Sequence, residues 1–365
     1  MTERIRWRFP LIAASLLAAL AAMWAGLVRL GWGLPPLIPT LTMTHGPLMI
    51  SGFLGTLISL ERVVALNRRW MFAAPAVTGL GVVVLLAGLP GPLGPALMAL
   101  GSLGVVAIFV VIVRMQFAPF TLTMALGAVA WLVGNLLWLA GLPIYRIVLW
   151  WGAFLVLTIA GERLEMSRVI RVPASGQIIF GSILGVLLVG LMAMSLGLDP
   201  GWRVTGLAML FLAVWLLRYD IAQRTIRQSG LTRFIALNLL TGFVWLAVSG
   251  ALAMAFGAVI AGPRYDAVLH TLFLGFAFGM IFGHAPIILP AIGQVPVTYR
   301  PVFYSHWALL HLSLILRVAG DLAGQFALRQ WGGLLNVIAI LLFLFNTGRA
   351  IAQSRGTHGN AVASH

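Results

Sequence analysis

The stretch GFLGTLISLER at residues 52–62 decides the fold, because related versions of it recur twice more along the chain. The second is AFLVLTIAGER at residues 153–163, and the third is GFAFGMIFGHA at residues 275–285. In each copy an Ile follows a Phe by five residues, and a Glu or His follows that Phe by eight. The copies lie on the second, sixth and tenth of twelve predicted membrane spans. This spacing predicts three related four-helix units.

The composition around these copies is that of an integral membrane protein. The 365 residues are 61% hydrophobic and 8% charged, and the mean hydropathy is +1.04. A segment of about 20 apolar residues crosses the hydrocarbon core of a bilayer. The chain divides into such segments, which are joined by short connections rich in Gly and Pro. The predicted spans are 9–31, 44–66, 70–89, 93–114, 121–141, 145–168, 176–197, 201–219, 233–260, 264–290, 303–323 and 331–350.

These spans predict an all-α, polytopic integral membrane protein with about twelve transmembrane helices in one domain, residues 1–350. Its three four-helix units cover roughly residues 9–114, 121–219 and 233–350. Residues 351–365 are polar and are predicted to form a disordered cytoplasmic tail. The apolar run of the first span is longer than that of an ordinary signal peptide, so we predict that it is retained as a span.

The arginines predict the orientation. All 23 basic residues are Arg, and with the N-terminus inside, seventeen fall on the inner side, five on the outer side and Arg317 within span eleven. An excess of Arg marks cytoplasmic loops. We therefore predict a multi-pass protein of the inner (cytoplasmic) membrane with both termini in the cytoplasm. The net charge of +15 does not indicate nucleic acid, because the arginines concentrate in particular loops. The expected partners are the lipid bilayer and a membrane redox protein.

Cysteine is absent, which excludes disulfides, thiolate metal sites, iron–sulfur clusters and haem attached through Cys. The few ionisable groups inside spans are costly there, and such groups usually face the bundle interior or a functional site. His45 opens span two, and His270 lies near the start of span ten, both close to the predicted outer face. Two neutral imidazoles from different helices are what a low-spin haem iron accepts as axial ligands.

The alternative is that each of these histidines is an interfacial residue satisfied by a backbone carbonyl. Because spans two and ten are related by the repeat, we favour haem ligation by His45 and His270. Arg317 and Asp321 lie four residues apart on span eleven at a similar level, so they are placed to pair along the helix. Arg317 is also a candidate partner for a haem propionate.

Three more histidines lie toward the predicted inner side and are candidates for a second metal site, copper or haem. They are His284 on span ten and His306 and His311 on span eleven. Five residues on a helix correspond to about 140° of rotation, so a straight helix cannot direct His306 and His311 to one ion, which makes His284 with one of them the better pair. The alternative is that these histidines bind loop carbonyls.

Two carboxylates, Glu61 and Glu162, end spans two and six, and each is followed by an Arg. Adjacent residues on a helix do not face each other, so we predict that each Glu pairs with an Arg of a neighbouring helix. In the functional alternative they form an inner proton-entry or cation site.

One known family resembles this pattern. The segment HGPLMISGF from His45 is similar to the second-span motif of the NnrS family of haem- and copper-containing membrane proteins, which reads roughly HAHEMLFGF. HTLFLG from His270 is similar to that family's HALTVG stretch, and the residues around Arg317 are similar to its LLRV-like stretch. Pro47 stands where the family has a second histidine, which leaves the number of metals open.

That resemblance implies b-type haem and a role in nitric oxide response or metabolism, or in the associated electron transfer. An oxidoreductase activity acting with haem is one form of that role. The plan of three four-helix units also resembles, more distantly, subunit I of haem-copper oxidases. Spans six and seven here lack the copper-ligating histidines of those enzymes, so dioxygen reduction at such a centre is not expected.

Two functions of other classes stay open at this point. A proton-coupled secondary transporter or channel without a cofactor would use Glu61, Glu162 and His284 as its proton-coupled groups. Such transporters also carry internal repeats, commonly as two inverted halves. An assembly or scaffold protein for a membrane redox complex would need none of these residues for chemistry.

Overall fold

Helices account for every regular element that the computed structural model describes, which covers residues 8–170 and 172–362. No strand occurs within those ranges, so the predicted all-α class is confirmed. Residues 1–7, 171 and 363–365 lie outside the described part of the chain, and with them three of the arginines used to predict orientation and the end of the predicted tail.

Twelve long helices occur in the described residues, and they agree with the predicted spans to within about five residues at most ends. The first six are α1 (Arg8–Arg29), α2 (Leu41–Leu66), α3 (Arg69–Leu86), α4 (Leu93–Met115), α5 (Pro119–Leu139) and α6 (Ile144–Met166). The others are α7 (Ala174–Ser195), α8 (Pro200–Tyr219), α9 (Gly230–Phe256), α10 (Pro263–Gly293), α11 (Phe303–Ala323) and α12 (Phe326–Val362).

Eleven of these helices are long and apolar enough to cross a membrane. The remaining one, α11, has a comparable length of 21 residues but is more polar, since it carries two histidines, an Arg and an Asp. The chain is therefore a multi-pass membrane protein in contact with lipid. Its assignment to the cytoplasmic membrane and the cytoplasmic location of its termini stay predictions. The helix α12 continues to Val362, through most of the stretch predicted as a disordered tail.

The chain divides into two compact units. Unit 1 contains Met1–Glu162 with Ala291–Gly293, and unit 2 contains Arg163–Pro290 with Gln294–His365. In unit 1, α4 packs between α3 and α5, and α1 packs against α2 and α3. In unit 2, α8 packs between α7 and α9, and α11 packs against α12 and the first turns of α10. The three four-helix units of the sequence repeat do not coincide with these two units and stay a prediction.

The helices that carry the repeated segment are the most buried of the eleven apolar helices. Within an apolar stretch of 18 residues in each helix, the buried share is 67% in α2, 78% in α6 and 72% in α10. In the other apolar helices it is at most 56%. Polar groups on these three helices are therefore enclosed by protein more than those of the other apolar spans. The repeat identifies the helices on which a site can be built away from lipid.

Two of these three helices are locally widened into π-helix. The π segments are Leu48–Gly55 in α2 and Thr271–Phe278 in α10. Each begins five residues before the repeat Phe and ends two residues after it, so the two segments occupy the same register of the repeat. The matching residues of α6 are ordinary α-helix. Short π segments inside α-helices are rare and occur frequently at functional sites.

Candidate functional site

The histidine at the start of α2 is fixed by α1. Nδ1 of His45 lies 2.7 Å from the backbone carbonyl oxygen of Ala22. The ring also packs on Gly26, where an added Cβ would lie 3.1 Å from His45 Cε1. A carbonyl oxygen only accepts, so in the neutral ring Nδ1 carries the proton and Nε2 carries the lone pair. The π segment of α2 begins three residues after this histidine.

Unit 1 also contains a buried polar network on its π segment. Ser51 lies within that segment, and Trp131 of α5 donates from Nε1 to its Oγ at 2.9 Å. The Ser51 hydroxyl donates in turn to Asn135 Oδ1 at 3.1 Å, and Trp151 Nε1 donates to the same oxygen at 3.0 Å. Sequence reasoning missed this network. The available signal was Asn135 itself, an amide in the middle of an apolar span.

The histidine at the start of the π segment in α10 has a charged neighbour. Nδ1 of His270 lies 2.9 Å from the carbonyl oxygen of Asp266 one turn earlier, and 3.2 Å from the Oδ1 atom of that side chain. Both atoms accept, so the neutral ring again has its proton on Nδ1 and its lone pair on Nε2. His270 aligns with Pro47 in the repeat, since each precedes its Phe by six residues.

Asp266 is the centre of a buried ionic cluster in unit 2. Arg317 of α11 donates to both of its oxygens, from Nε at 2.7 Å and from Nη2 at 2.9 Å. Arg329 of α12 approaches Asp266 Oδ1 at 3.7 Å. Sequence reasoning missed Asp266 and Arg329. The available signal for Asp266 was its position four residues before His270 on one face of the same helix.

The expected pairing of Arg317 with Asp321 along α11 is not what the structure shows. The Arg317 guanidinium is directed to Asp266 on α10, and Asp321 has Arg329 as its ion-pair partner, with Nε 3.0 Å from Oδ1. That pair is at ion-pair distance, although it is not aligned as a hydrogen bond. Packing of α11 against α10 and α12 offers each charged group a facing partner, and the pairing across helices replaces the pairing along one.

The ionic cluster contains two carboxyl groups and two guanidiniums. The side chains of Asp266, Asp321, Arg317 and Arg329 are all at least 79% buried, with that of Asp321 fully enclosed. Removing one member of a buried ion pair leaves an uncompensated charge in a low-dielectric environment, which is strongly destabilising. The cluster therefore holds the ends of α10, α11 and α12 together and fixes the ring of His270 through Asp266.

The three histidines predicted for a second metal site have different surroundings. Nδ1 of His284 lies 2.8 Å from the carbonyl oxygen of Met280, so this ring shares the tautomer of His45 and His270. His311 accepts at Nδ1 from Trp245 Nε1 at 2.9 Å, and its Nε2 lies 3.4 Å from Thr241 Oγ1. Both nitrogens of His311 are therefore engaged by protein groups.

His306 is enclosed by aromatic rings. Its Nδ1 lies 3.2 Å from Asn346 Nδ2, which is a donor, so Nε2 of the neutral ring carries the proton. The rings of Phe282, Phe303 and Phe343 surround it at centroid distances of 5.0 to 5.4 Å. Across residues 8–170 and 172–362, no three His, Cys, Asp or Glu side chains are grouped so as to hold a metal ion. A copper site at the inner histidines stays a prediction.

The carboxylates at the ends of α2 and α6 share one arginine. Arg62 Nη2 contacts Glu162 Oε1 across the two helices, as expected for a pair between neighbours. Its distance to Oε1 of the adjacent Glu61 is 3.6 Å, so Glu61 meets the same guanidinium. Glu162 thus pairs as predicted, whereas the ion pair of Glu61 is with the adjacent Arg62 of its own helix and not with an Arg of a neighbouring helix. A role for either carboxylate in proton entry stays a prediction.

One buried carboxylate outside the spans is explained by local structure. Asp220 follows α8 and accepts from the backbone N–H of Ala222 at 2.7 Å, the first residue of the helical turn Ala222–Thr225. Burial raises the pKa of the Asp220 carboxyl, and the nearby Arg163 guanidinium opposes that rise. The side chain closes a turn between helices, so we assign it no chemistry.

Comparison with known proteins places nearly the whole chain in one family. A family model matches residues 8–351, and its description is a domain of unknown function. A search of curated proteins found no match. The function is therefore inferred from the arrangement of side chains.

Proposed function

The chain belongs to the DUF8744 family, which names no activity, and we propose from its own side chains that it is a haem-binding integral membrane protein. In this proposal His45 of unit 1 and His270 of unit 2 are each a candidate imidazole ligand to haem iron. The observation that carries it is the tautomer that the two neutral rings share. In each ring Nδ1–H donates to a backbone carbonyl oxygen, so the lone pair that can ligate iron is on Nε2.

This arrangement is the one found around metal-bound histidines. A ligating imidazole almost always donates its other N–H to a carbonyl or carboxylate, which fixes the ring and raises its basicity. His45 has the carbonyl of Ala22 in this position, and His270 has both the carbonyl and the carboxylate of Asp266. His311 lacks the arrangement, because Trp245 donates to its Nδ1.

The backbone supports the same two residues. Each histidine is followed within three residues by a π segment in the same register of the repeat. The third repeat helix, α6, has neither a histidine at the corresponding positions nor a π segment. The widened backbone therefore accompanies the histidines, and not the repeat as such.

Arg317 stays the candidate for a haem propionate. A guanidinium carries five N–H donors, and the bidentate contact with Asp266 places Nε and Nη2 on one carboxylate. The remaining donors suit a second carboxylate, such as a propionate. Arg317 also acts on His270 indirectly, because it positions the Asp266 side chain that lies against the imidazole.

The biological role that we propose is handling of nitric oxide, or electron transfer associated with it, in the cytoplasmic membrane. Haem iron would supply the one-electron redox chemistry, and a membrane redox protein would be the partner. The resemblance of the segments that begin at His45 and His270 to the NnrS family supports this role. An oxidoreductase activity and bound copper are parts of the proposal that need their own measurements.

The direct test is a pyridine haemochrome assay with metal analysis on the purified protein. We expect b-type haem, and we expect the His45→Ala and His270→Ala variants each to lose or shift the Soret band. His284→Ala is the matched control. The Nδ1 atom of His284 is also at hydrogen-bond distance from a backbone carbonyl oxygen, but ordinary α-helix follows this histidine. Its Soret band should be unchanged.

A colourless, metal-free preparation would contradict the proposal. It would favour the transporter in which Glu61, Glu162 and His284 are proton-coupled, or the scaffold without a cofactor. These two are separated by proton flux in proteoliposomes, which only the transporter supports. A Soret band that survives in both His45→Ala and His270→Ala would overturn the ligand assignment alone.

A further inference from the structure

A surface cavity of about 300 Å³ in unit 2 has the chemistry of an anion site. Arg300 lines it from the segment before α11, and Arg349 and Gln353 line it from α12. No Asp or Glu is among the described residues that line it. Two guanidiniums without a carboxylate between them attract a phosphate group, because a guanidinium binds phosphate oxygens in bidentate geometry.

The position of this cavity points to the membrane–water boundary. The apolar run of α12 ends at Phe345, and Asn346, Thr347 and Arg349 follow it directly. Phe345 is 58% exposed, and the guanidinium of Arg349 lies 5.6 Å from its ring centroid. Arg349 thus extends from an apolar, lipid-facing surface toward the level of lipid headgroups, as long basic side chains do at helix ends.

An apolar rim adjoins the two arginines. Val302, at the start of α11, lines the cavity and is 48% exposed. Val302 and Phe345 offer exposed apolar surface to acyl chains, whereas Arg300 and Arg349 offer positive charge to a headgroup. The floor is fixed, since Asn346 is buried and its amide nitrogen lies 3.2 Å from both Ser305 Oγ and His306 Nδ1.

We propose that this cavity binds the phosphate of an anionic phospholipid, such as phosphatidylglycerol. Neither His45 nor His270 lines this cavity, and the proposal does not depend on the proposed function. A free phosphate has the same headgroup chemistry, but it makes no use of the exposed apolar rim.

The test uses the full-length protein in detergent, titrated with phosphatidylglycerol, with phosphatidylcholine of the same acyl chains, or with inorganic phosphate. Native mass spectrometry counts retained lipid, and thermal unfolding reports stabilisation. We expect phosphatidylglycerol to be retained and to raise the unfolding temperature more than the other two. Stabilisation by inorganic phosphate equal to that by phosphatidylglycerol would overturn the lipid assignment.

Substitutions then locate the site. Arg300→Gln and Arg349→Gln should each weaken phosphatidylglycerol binding about fivefold, and the double variant about 25-fold. Arg264→Gln is the matched control, because Arg264 also stacks on an aromatic ring, Phe256 at 5.2 Å, but does not line the cavity. Val302→Glu keeps both arginines, places a carboxylate at the rim, and should weaken binding even if the double variant fails to fold. Equal binding in Val302→Glu and Arg264→Gln would overturn the proposal.

Discussion

The helices α2 and α10 share a backbone distortion at one register of the repeat, yet their histidines have different environments. In α2, the Nδ1 atom of His45 lies against the backbone carbonyl oxygen of Ala22 in α1. In α10, His270 meets the carboxylate of Asp266, which is held by Arg317. The comparison shows that the two copies of the repeat that follow a histidine widen at the same register, whereas residues outside the repeat set the charge around each histidine.

The largest expected effect is on the free energy of unfolding, and it follows from removing the Asp266 carboxylate. Asp266→Ala leaves two buried guanidiniums without their shared carboxylate, and we expect a loss of about 3–5 kcal/mol in the free energy of unfolding. Equilibrium unfolding in mixed micelles measures it. Asp266, Arg317 and Arg329 all belong to unit 2, so the effect should be confined to that unit.

The control for this loss is Asp199→Ala. Its side chain is 67% exposed and lies 3.8 Å from Arg203. An exposed ion pair contributes about 0–1 kcal/mol, so this variant should be close to the parent protein. If Asp266→Ala were no more destabilising than Asp199→Ala, the ionic cluster would not hold α10 as described.

The second comparison uses two glycines at the same repeat position. An added Cβ at Gly275 would overlap the indole of Trp245, whereas at Gly52 it would lie 3.0 Å from Val82 Cγ2 and 3.2 Å from Ala18 Cβ. We expect Gly275→Ala to cost about 1–3 kcal/mol and Gly52→Ala clearly less. Unfolding of the two variants measures which substitution costs more. A larger cost for Gly52→Ala would show that Gly275 is not packed against Trp245 as in the structure.

The smallest expected effect concerns a residue that only one π segment has. Ser51 accepts from Trp131 Nε1, and the corresponding residue of α10 is the apolar Leu274. Ser51→Ala leaves that indole N–H buried without its acceptor, at a cost of about 1–2 kcal/mol. Trp131→Phe removes the donor as well, so adding Ser51→Ala to it should cost less than Ser51→Ala alone. Equal costs in both backgrounds would mean that the hydrogen bond does not contribute.

Much of the fold could be predicted because a bilayer leaves few alternatives. Backbone groups in lipid must be satisfied within the segment, so runs of apolar residues become helices and their ends follow from hydropathy. The partner of Arg317 was predicted wrongly from the spacing of four residues along one helix. Its partner, Asp266, lies 51 residues away in sequence, and no local spacing favoured it over Asp321.

The candidate site was predictable only in part. His45 and His270 stood out as ionisable groups in related spans, but the carbonyl of Ala22 that orients the first ring is a backbone atom and has no sequence signal. Neither π segment has a signature that separates it from the ordinary helix of α6. Haem and copper stay proposals that the assay of the purified protein tests, and the role in nitric oxide handling stays a proposal.

The amino-acid sequence by itself determined the helical class, the positions of the spans and the three helices that carry the repeat. These depend on local hydropathy and on a repeat, and both are properties of consecutive residues. The tertiary structure alone decided which charged groups meet, which tautomer each histidine adopts and where α2 and α10 widen. Those features depend on which side chains and carbonyls face one another across neighbouring helices, and the energy of such contacts arises only once the helices have packed.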